Sequence, residues 1–335
     1  MELSFVPPPS AESAPDERCR QGASARPRLV EIAIPADLAR FGRRLRLSSL
    51  GDPRDPPLLV LGGISADRFP AVRDDGAPGW WSGLVGHGRA IDPRGRHVIG
   101  FDFAADESGV CAPSTVDQAS ILAAGLDAIG LAGRVTIVGA SYGGMVALAL
   151  AQVRPDLVER LVLVSAPAEP HPASTAAREL QRRVVALGLA SGRGEEGLAI
   201  ARGMAMTTYR TADEFAERFD GGIGQDDPLC PSAPGSYLRA RGLAFRKVMS
   251  PERFLSLSAS IDRHRVAPER VAVPCLVIGA DTDQLVPPGQ LRDLAARLAG
   301  PSQLQLLDSL FGHDMFLKET DRIGALVAPF VDGAA

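Results

Sequence analysis

From about residue 56 onward, short apolar runs that stop at turn-forming residues alternate with longer stretches of helical periodicity. After Pro56-Pro57 the segment LLVLGG is continuously apolar and ends on glycine, the pattern of a strand buried on both faces. RHVIGFDF (96–103), RVTIVG (134–139), RLVLVSA (160–166) and VPCLVIGA (273–280) repeat it. GGMVALALAQV follows the third run with helical spacing and stops before Pro155. Strands buried on both faces and separated by helices predict a mostly parallel sheet flanked by helices, because parallel strands need crossover connections.

Two regions depart from this rhythm. Residues 1–27 are rich in Pro, Ser, Ala and charge and show no apolar period, so they read as a flexible N-terminal tail that cannot repay its ordering entropy. Residues 167–266 carry the helical patterns TAARELQRRVVALGLA, GLAIARGMAMTTY and SPERFLSLSASID, a Gly/Pro-rich loop (GGIGQDDPLCPSAPG), and no buried-strand signal. They read as a helical lid inserted into one α/β core made of 28–166 and 267–335.

Composition narrows the function classes. Hydrophobic residues make up 45% and charged residues 23%, enough apolar material for a sizeable core. No apolar run reaches the 18 or so residues needed to span a bilayer, and no basic-then-apolar leader opens the chain, so a cytoplasmic protein is expected. The four cysteines, Cys19, Cys111, Cys230 and Cys275, form no C-x-x-C pair, so neither a metal site nor a disulfide framework is expected. With net charge −4 and no dense basic stripe, nucleic acid is not an expected partner.

The chemistry centres on Gly139-Ala140-Ser141-Tyr142-Gly143-Gly144, a G-x-S-x-G where a buried strand meets a helix. A tight strand-to-helix turn exposes the serine oxygen above the sheet, and its neighbours must be small. This is the nucleophile elbow of the α/β-hydrolase fold. A serine hydroxyl needs a base, and the base needs a group to hold its tautomer. Of five histidines only His313 lies beyond the last apolar run, which satisfies the Ser, Asp, His order of that fold. The acid should follow VPCLVIGA, where Asp281 and Asp283 are available. Asp283 is preferred because an apolar residue and proline follow it closely, and Asp281 reads as solvated or capping. The oxyanion donors are expected to be the N–H of Tyr142 and that of Ile64, or a neighbour, in the loop LVLGGISADR.

Several segments resemble the homoserine O-acyltransferase family of the α/β-hydrolase superfamily: GWWSGLVGHGRAID, GASYGGMVALALA, GLAIARGMAMTTYRTADEFAERF, SIDRHRV and FGHDMFLKETDRI. The resemblance spans most of 55–330. It implies acyl transfer from an acyl-CoA to the hydroxyl of L-homoserine by a ping-pong mechanism, in methionine biosynthesis. The acyl-CoA is a substrate, and no cofactor is expected. The family's acceptor-binding arginine, tyrosine and aspartate fall on Arg202, Tyr209 and Asp314, and a homodimer joined through the lid is implied. Trp80 and Trp81 are assigned no catalytic step. The family's cationic residue associated with succinyl donors is replaced by Leu285, so acetyl-CoA is the expected donor, unless an arginine elsewhere in the lid serves a succinyl group. Ala140 and Tyr142 depart from the family's usual residues. Serine as acceptor, a succinyl donor, or an esterase or thioesterase using the same triad are the alternatives.

Overall fold

The computed structural model describes residues 26–131, 133–219 and 232–333. Most of the expected tail, residues 220–231 of the Gly/Pro-rich segment, and Cys19 and Cys230 lie outside the described residues. The chain opens with β1 (Arg28–Ala33), β2 (Arg44–Leu50), β3 (Pro57–Leu61) and β4 (His97–Phe101). Next come α1 (Thr115–Ile129), β5 (Val135–Ala140), α2 (Tyr142–Val153) and β6 (Val158–Val164). Five helices follow: α3 (Pro172–Ala190), α4 (Gly194–Tyr209), α5 (Ala212–Arg218), α6 (Ala233–Phe245) and α7 (Pro251–Asp262). The end of the chain adds β7 (Cys275–Ala280), α8 (Pro288–Arg297), β8 (Ser302–Leu307), α9 (Met315–Lys318) and α10 (Thr320–Val331).

The strands form one sheet in the order β1-β2-β4-β3-β5-β6-β7-β8. The pairs β1–β2 and β2–β4 are antiparallel, and every pair from β4 to β8 is parallel. Period-two alternation divides the central strands between two cores. Leu59, Leu61, Ile137, Leu161, Leu163 and Val277 face the layer that contains α1 and α2. Leu58, Val60, Val138, Val162, Leu276 and Ile278 face the layer that contains Trp81 and α10. Each fully buried aliphatic side chain contributes about 1.5–3 kcal/mol, which is why both faces of these strands read as apolar. The α1 helix starts where its sequence demands: Ser114 Oγ accepts from Asp117 N, and Asp117 accepts from Ser114 N at 2.7 Å, a reciprocal cap.

The segment expected to be a loop up to residue 235 is helical from Ala233, with Pro234 in the first turn of α6, where proline costs no hydrogen bond. All five helices α3 to α7 stand between β6 and β7, which are neighbours in the sheet. His264, fully buried, fastens the end of this excursion. Its Nδ1 lies 2.8 Å from Thr115 Oγ1 and its Nε2 lies 3.0 Å from Pro167 O. A carbonyl can only accept, so Nε2 carries the proton, and Nδ1 accepts from the threonine.

Candidate active site

Ser141 sits between β5 and α2 with φ 52° and ψ −120°, a conformation that costs about 1–3 kcal/mol for a residue with a side chain. The flanking glycines explain how the chain reaches it. A Cβ on Gly139 would lie 2.7 Å from Gly143 O, and one on Gly143 would lie 2.4 Å from Leu61 O. Gly143 N donates to Gly62 O at 2.8 Å, so the elbow is tied to the loop after β3.

His313 Nε2 lies 2.9 Å from Ser141 Oγ, and His313 Nδ1 lies 2.7 Å from Asp283 Oδ2. With Nδ1–H donated to the carboxylate, Nε2 is free to accept the serine proton. The other oxygen of Asp283 accepts from Leu285 N at 2.9 Å and Val286 N at 3.0 Å, which fixes the carboxylate in the turn after β7. Asp281 is exposed and accepts from Ser309 N at 3.3 Å, away from the histidine. Burial disfavours the charged imidazole, but the charge and hydrogen bond of Asp283, aided by Asp314, outweigh it and raise the His313 pKa above its ordinary value.

Gly312, at φ +55°, lets the chain turn tightly before the histidine. Behind it, Phe316 lies edge-on to the His313 ring at 5.9 Å. Trp81 is buried, stands edge-on to Phe316, and donates from Nε1 to Phe316 O at 2.7 Å. Trp80 stacks on Trp81 at 5.0 Å and donates to Asp67 O at 3.0 Å, and its ring fills the space where Gly62 has no side chain. The tryptophan pair therefore braces the histidine segment and the loop after β3 together.

Tyr142 is buried against Phe103, with ring centroids 4.7 Å apart, and its hydroxyl lies 2.5 Å from Ser260 Oγ on α7. Burial pushes its pKa up to about 12. Ile64 occupies a turn closed by Ala66 N donating to Gly63 O. It lines a groove of about 990 Å³, flanked by Arg43, Arg46, Lys247 and Arg253, and not the narrower pocket into which Ser141 opens.

That pocket is lined by Met145, Ser174, Arg178, Gln181, Tyr209 and Leu285, together with Ser141 and His313. Of the three expected acceptor residues, Tyr209 is in its wall, 5.8 Å from the His313 ring. Arg202 is one layer back, its guanidinium over the rings of Tyr209 (5.2 Å) and Phe245 (4.8 Å). Asp314 is buried and faces Arg210 Nε at 3.3 Å, and Arg210 also donates to Glu214 at 2.6 Å.

Sequence reasoning missed Arg178 and Gln181, which line the pocket from α3. Arg178 Nε donates to Asp262 Oδ1 at 2.7 Å, and Arg182 Nη1 donates to Asp262 Oδ2 at 2.7 Å. The i,i+4 spacing of the two arginines places them on one helix face, but nothing in the sequence marks Asp262, eighty-odd residues later, as their shared partner.

Comparison with known proteins agrees with this architecture. The α/β-hydrolase fold family matches residues 56–320. A homoserine O-succinyltransferase of Xanthomonas campestris pv. campestris is 43% identical over 302 residues, covering 89% of this chain and 82% of the relative. A homoserine O-acetyltransferase of Thermus thermophilus is 31% identical over 293 residues, covering 78% and 74%. Among solved structures, a homoserine O-acetyltransferase from Bacillus anthracis superposes with a TM-score of 0.80 at 16% identity, covering 91% of this chain and 97% of that one. Esterase E22 superposes at 0.79 with 20% identity, covering 91% and 99%. At these identities the two structures bear on the fold alone. By its sequence relatives and its fold, the chain belongs to the homoserine O-acyltransferase family of the α/β-hydrolase superfamily.

Proposed function

We propose that this protein transfers an acyl group from an acyl-CoA thioester to the side-chain hydroxyl of L-homoserine through an acyl-enzyme on Ser141. The observation that carries the reading is the unbroken hydrogen-bonded line from Ser141 through His313 to Asp283, opening into a pocket walled by helices α3 and α4. The two sequence relatives, named for acyl transfer to homoserine, support the acceptor.

In the first half-reaction Ser141 Oγ attacks the thioester carbonyl while its proton passes to His313 Nε2. The C–S bond breaks, and the CoA sulfur leaves with that proton. In the second, the homoserine hydroxyl gives its proton to His313, its oxygen attacks the Ser141 ester, and Ser141 recovers the proton as the ester C–O bond breaks. Asp283 holds the imidazole in the tautomer each step needs. The Tyr142 and Ile64 N–H groups are the proposed oxyanion donors, and Arg202, Tyr209 and Asp314 the proposed acceptor residues. Arg202 would act from behind the Tyr209 ring, and Asp314 would share its carboxylate with Arg210. Walls contributed by α3 and α4 keep water from the acyl-enzyme, which separates transfer from hydrolysis.

Two pocket residues bear on the donor. Leu285, an apolar residue in the pocket wall, favours acetyl. Arg178 in the same wall and the 43%-identical succinyltransferase favour succinyl. Thiol release from each acyl-CoA by purified protein, with and without L-homoserine and with a Ser141→Ala control, tests the transfer. Release that needs homoserine and disappears in the control is the expected result. Equal release without homoserine makes the protein a thioesterase.

A further inference from the structure

Helix α3 presents Arg178 to the pocket that holds Ser141, on the wall that also carries Gln181. Arg178 and Arg182 share one carboxylate, Asp262 at the end of α7. All three side chains are largely withdrawn from water, with relative exposures of 12%, 19% and 12%. Two guanidinium groups against one carboxylate leave one positive charge without a partner, and among the described residues no second carboxylate pairs with either arginine. A buried charge in that condition is costly unless an anion completes it.

The pocket distinguishes the two arginines, since Arg178 lines it and Arg182 does not. Arg182 Nη1 is spent on Asp262 and on the backbone and hydroxyl oxygens of Ser258, both at 3.2 Å. Arg178 uses Nε and Nη2 on Asp262 Oδ1, at 2.7 and 2.6 Å, and Nη2 also on Thr175 Oγ1 at 3.3 Å. Its Nη1 makes no hydrogen bond to another described residue. Asp262 holds Arg178 in the pocket wall through Nε and Nη2 and leaves Nη1 as the guanidinium nitrogen with donors to spare for a carboxylate. The charge reaches the reacting centre as well, since Arg178 opposes protonation of His313.

We infer that Arg178, positioned by Asp262 and seconded by Gln181, forms a carboxylate-binding subsite for the far end of a dicarboxylic acyl donor, the succinyl group of succinyl-CoA. The subsite rests on the acyl-transfer reading above and names its donor. Leu285 packs against the methylenes of the acyl chain, and the charge that its position lacks comes from α3, whose Ser174 Oγ donates to Leu285 O at 2.9 Å. L-homoserine also carries a carboxylate, so the chemistry has two sources that the test must separate.

The test uses the full chain, Arg178→Gln and Arg178→Lys, with succinyl-CoA, acetyl-CoA and butyryl-CoA as donors to L-homoserine, read as thiol release. Butyryl matches succinyl in length without its charge. The wild type is expected to favour succinyl-CoA. Arg178→Gln is expected to lower the succinyl-to-butyryl ratio of kcat/KM by about 100-fold, and Arg178→Lys to restore part of it. A rise in the homoserine KM of similar size with every donor would assign the guanidinium to the acceptor and overturn the donor subsite. Equal losses of kcat/KM with all three donors, or a wild type that prefers acetyl-CoA, would overturn it too and leave acyl transfer standing. A second arm needs no turnover: calorimetric titration of succinyl-CoA and butyryl-CoA into Ser141→Ala, with and without Arg178→Gln. Succinyl-CoA binding weakened by the glutamine, with butyryl-CoA little affected, supports the subsite even if homoserine proves not to be the acceptor. Equal binding of the two thioesters overturns it.

Discussion

The Tyr142 and Ser260 hydroxyls lie 2.5 Å apart in the interior, joining the residue after Ser141 to α7. The contact couples the covering helices to the elbow itself. Tyr142→Phe removes one partner and leaves the other buried without a bond, at a cost of about 1–3 kcal/mol. Ser260→Ala should cost a similar amount, and the double variant less than the sum by about 1 kcal/mol. Urea unfolding of the four proteins checks this, and strictly additive losses would show that the two hydroxyls do not interact.

Raised above its ordinary value, His313 must lose its proton before it can accept one from Ser141. Thiol release should therefore climb with pH through an apparent pKa above 6.5. Asp283→Asn removes the main group holding that pKa up. The limb should move to lower pH as turnover falls by about 10³–10⁴-fold. A profile whose position is the same in both proteins would remove Asp283 from this role.

His264 behaves in the opposite sense. Burial lowers its pKa to about 4, so the folded protein keeps it neutral where the unfolded chain protonates it near 6.5. Its contribution, about 3 kcal/mol, is complete above 6.5 and is lost as pH falls toward 4. His313, with its pKa raised, contributes below 6.5 and loses that contribution as pH rises through its folded value. Stability measured from pH 4 to 7 should show an acid limb that flattens in His264→Asn. If the variant keeps the limb unchanged, another group produces it.

Trp81→Phe keeps the packing against Phe316 and deletes the 2.7 Å bond to its carbonyl. Because α9 begins two residues after His313, looser anchoring there should misplace the base. Turnover should fall about 10-fold or more, with little change in KM for either substrate. A rise in KM alone would instead place Trp81 in substrate binding.

Legibility in the sequence followed burial. Strands β3 to β7, apolar on both faces, announce themselves as continuous runs, and the elbow adds glycines at fixed positions. The edge strand β8, SQLQLL, is half exposed and alternates polar with apolar, so it lacks the run that marked the others. β1 is mostly exposed for the same reason, and its neighbour β2 alternates through RLRL. Ser141, Asp283 and His313, which hydrogen bonds bring together, are marked in the sequence by chain order and turn chemistry. Arg178, Asp262 and Trp81 are not, since each works through a partner that is distant in sequence.

Ser141, Asp283 and His313 follow strands β5, β7 and β8 of the sheet, whereas Arg178, Gln181, Tyr209 and Asp262 all belong to the one excursion between β6 and β7. That excursion leaves and rejoins the sheet at adjacent strands, and His264 clasps its return beside Pro167. On the proposed reading, most of what selects the acyl group and the alcohol sits in this one stretch, with Leu285 and Asp314 contributed from the core. The hydrogen-bonded line of Ser141, His313 and Asp283 lies outside it.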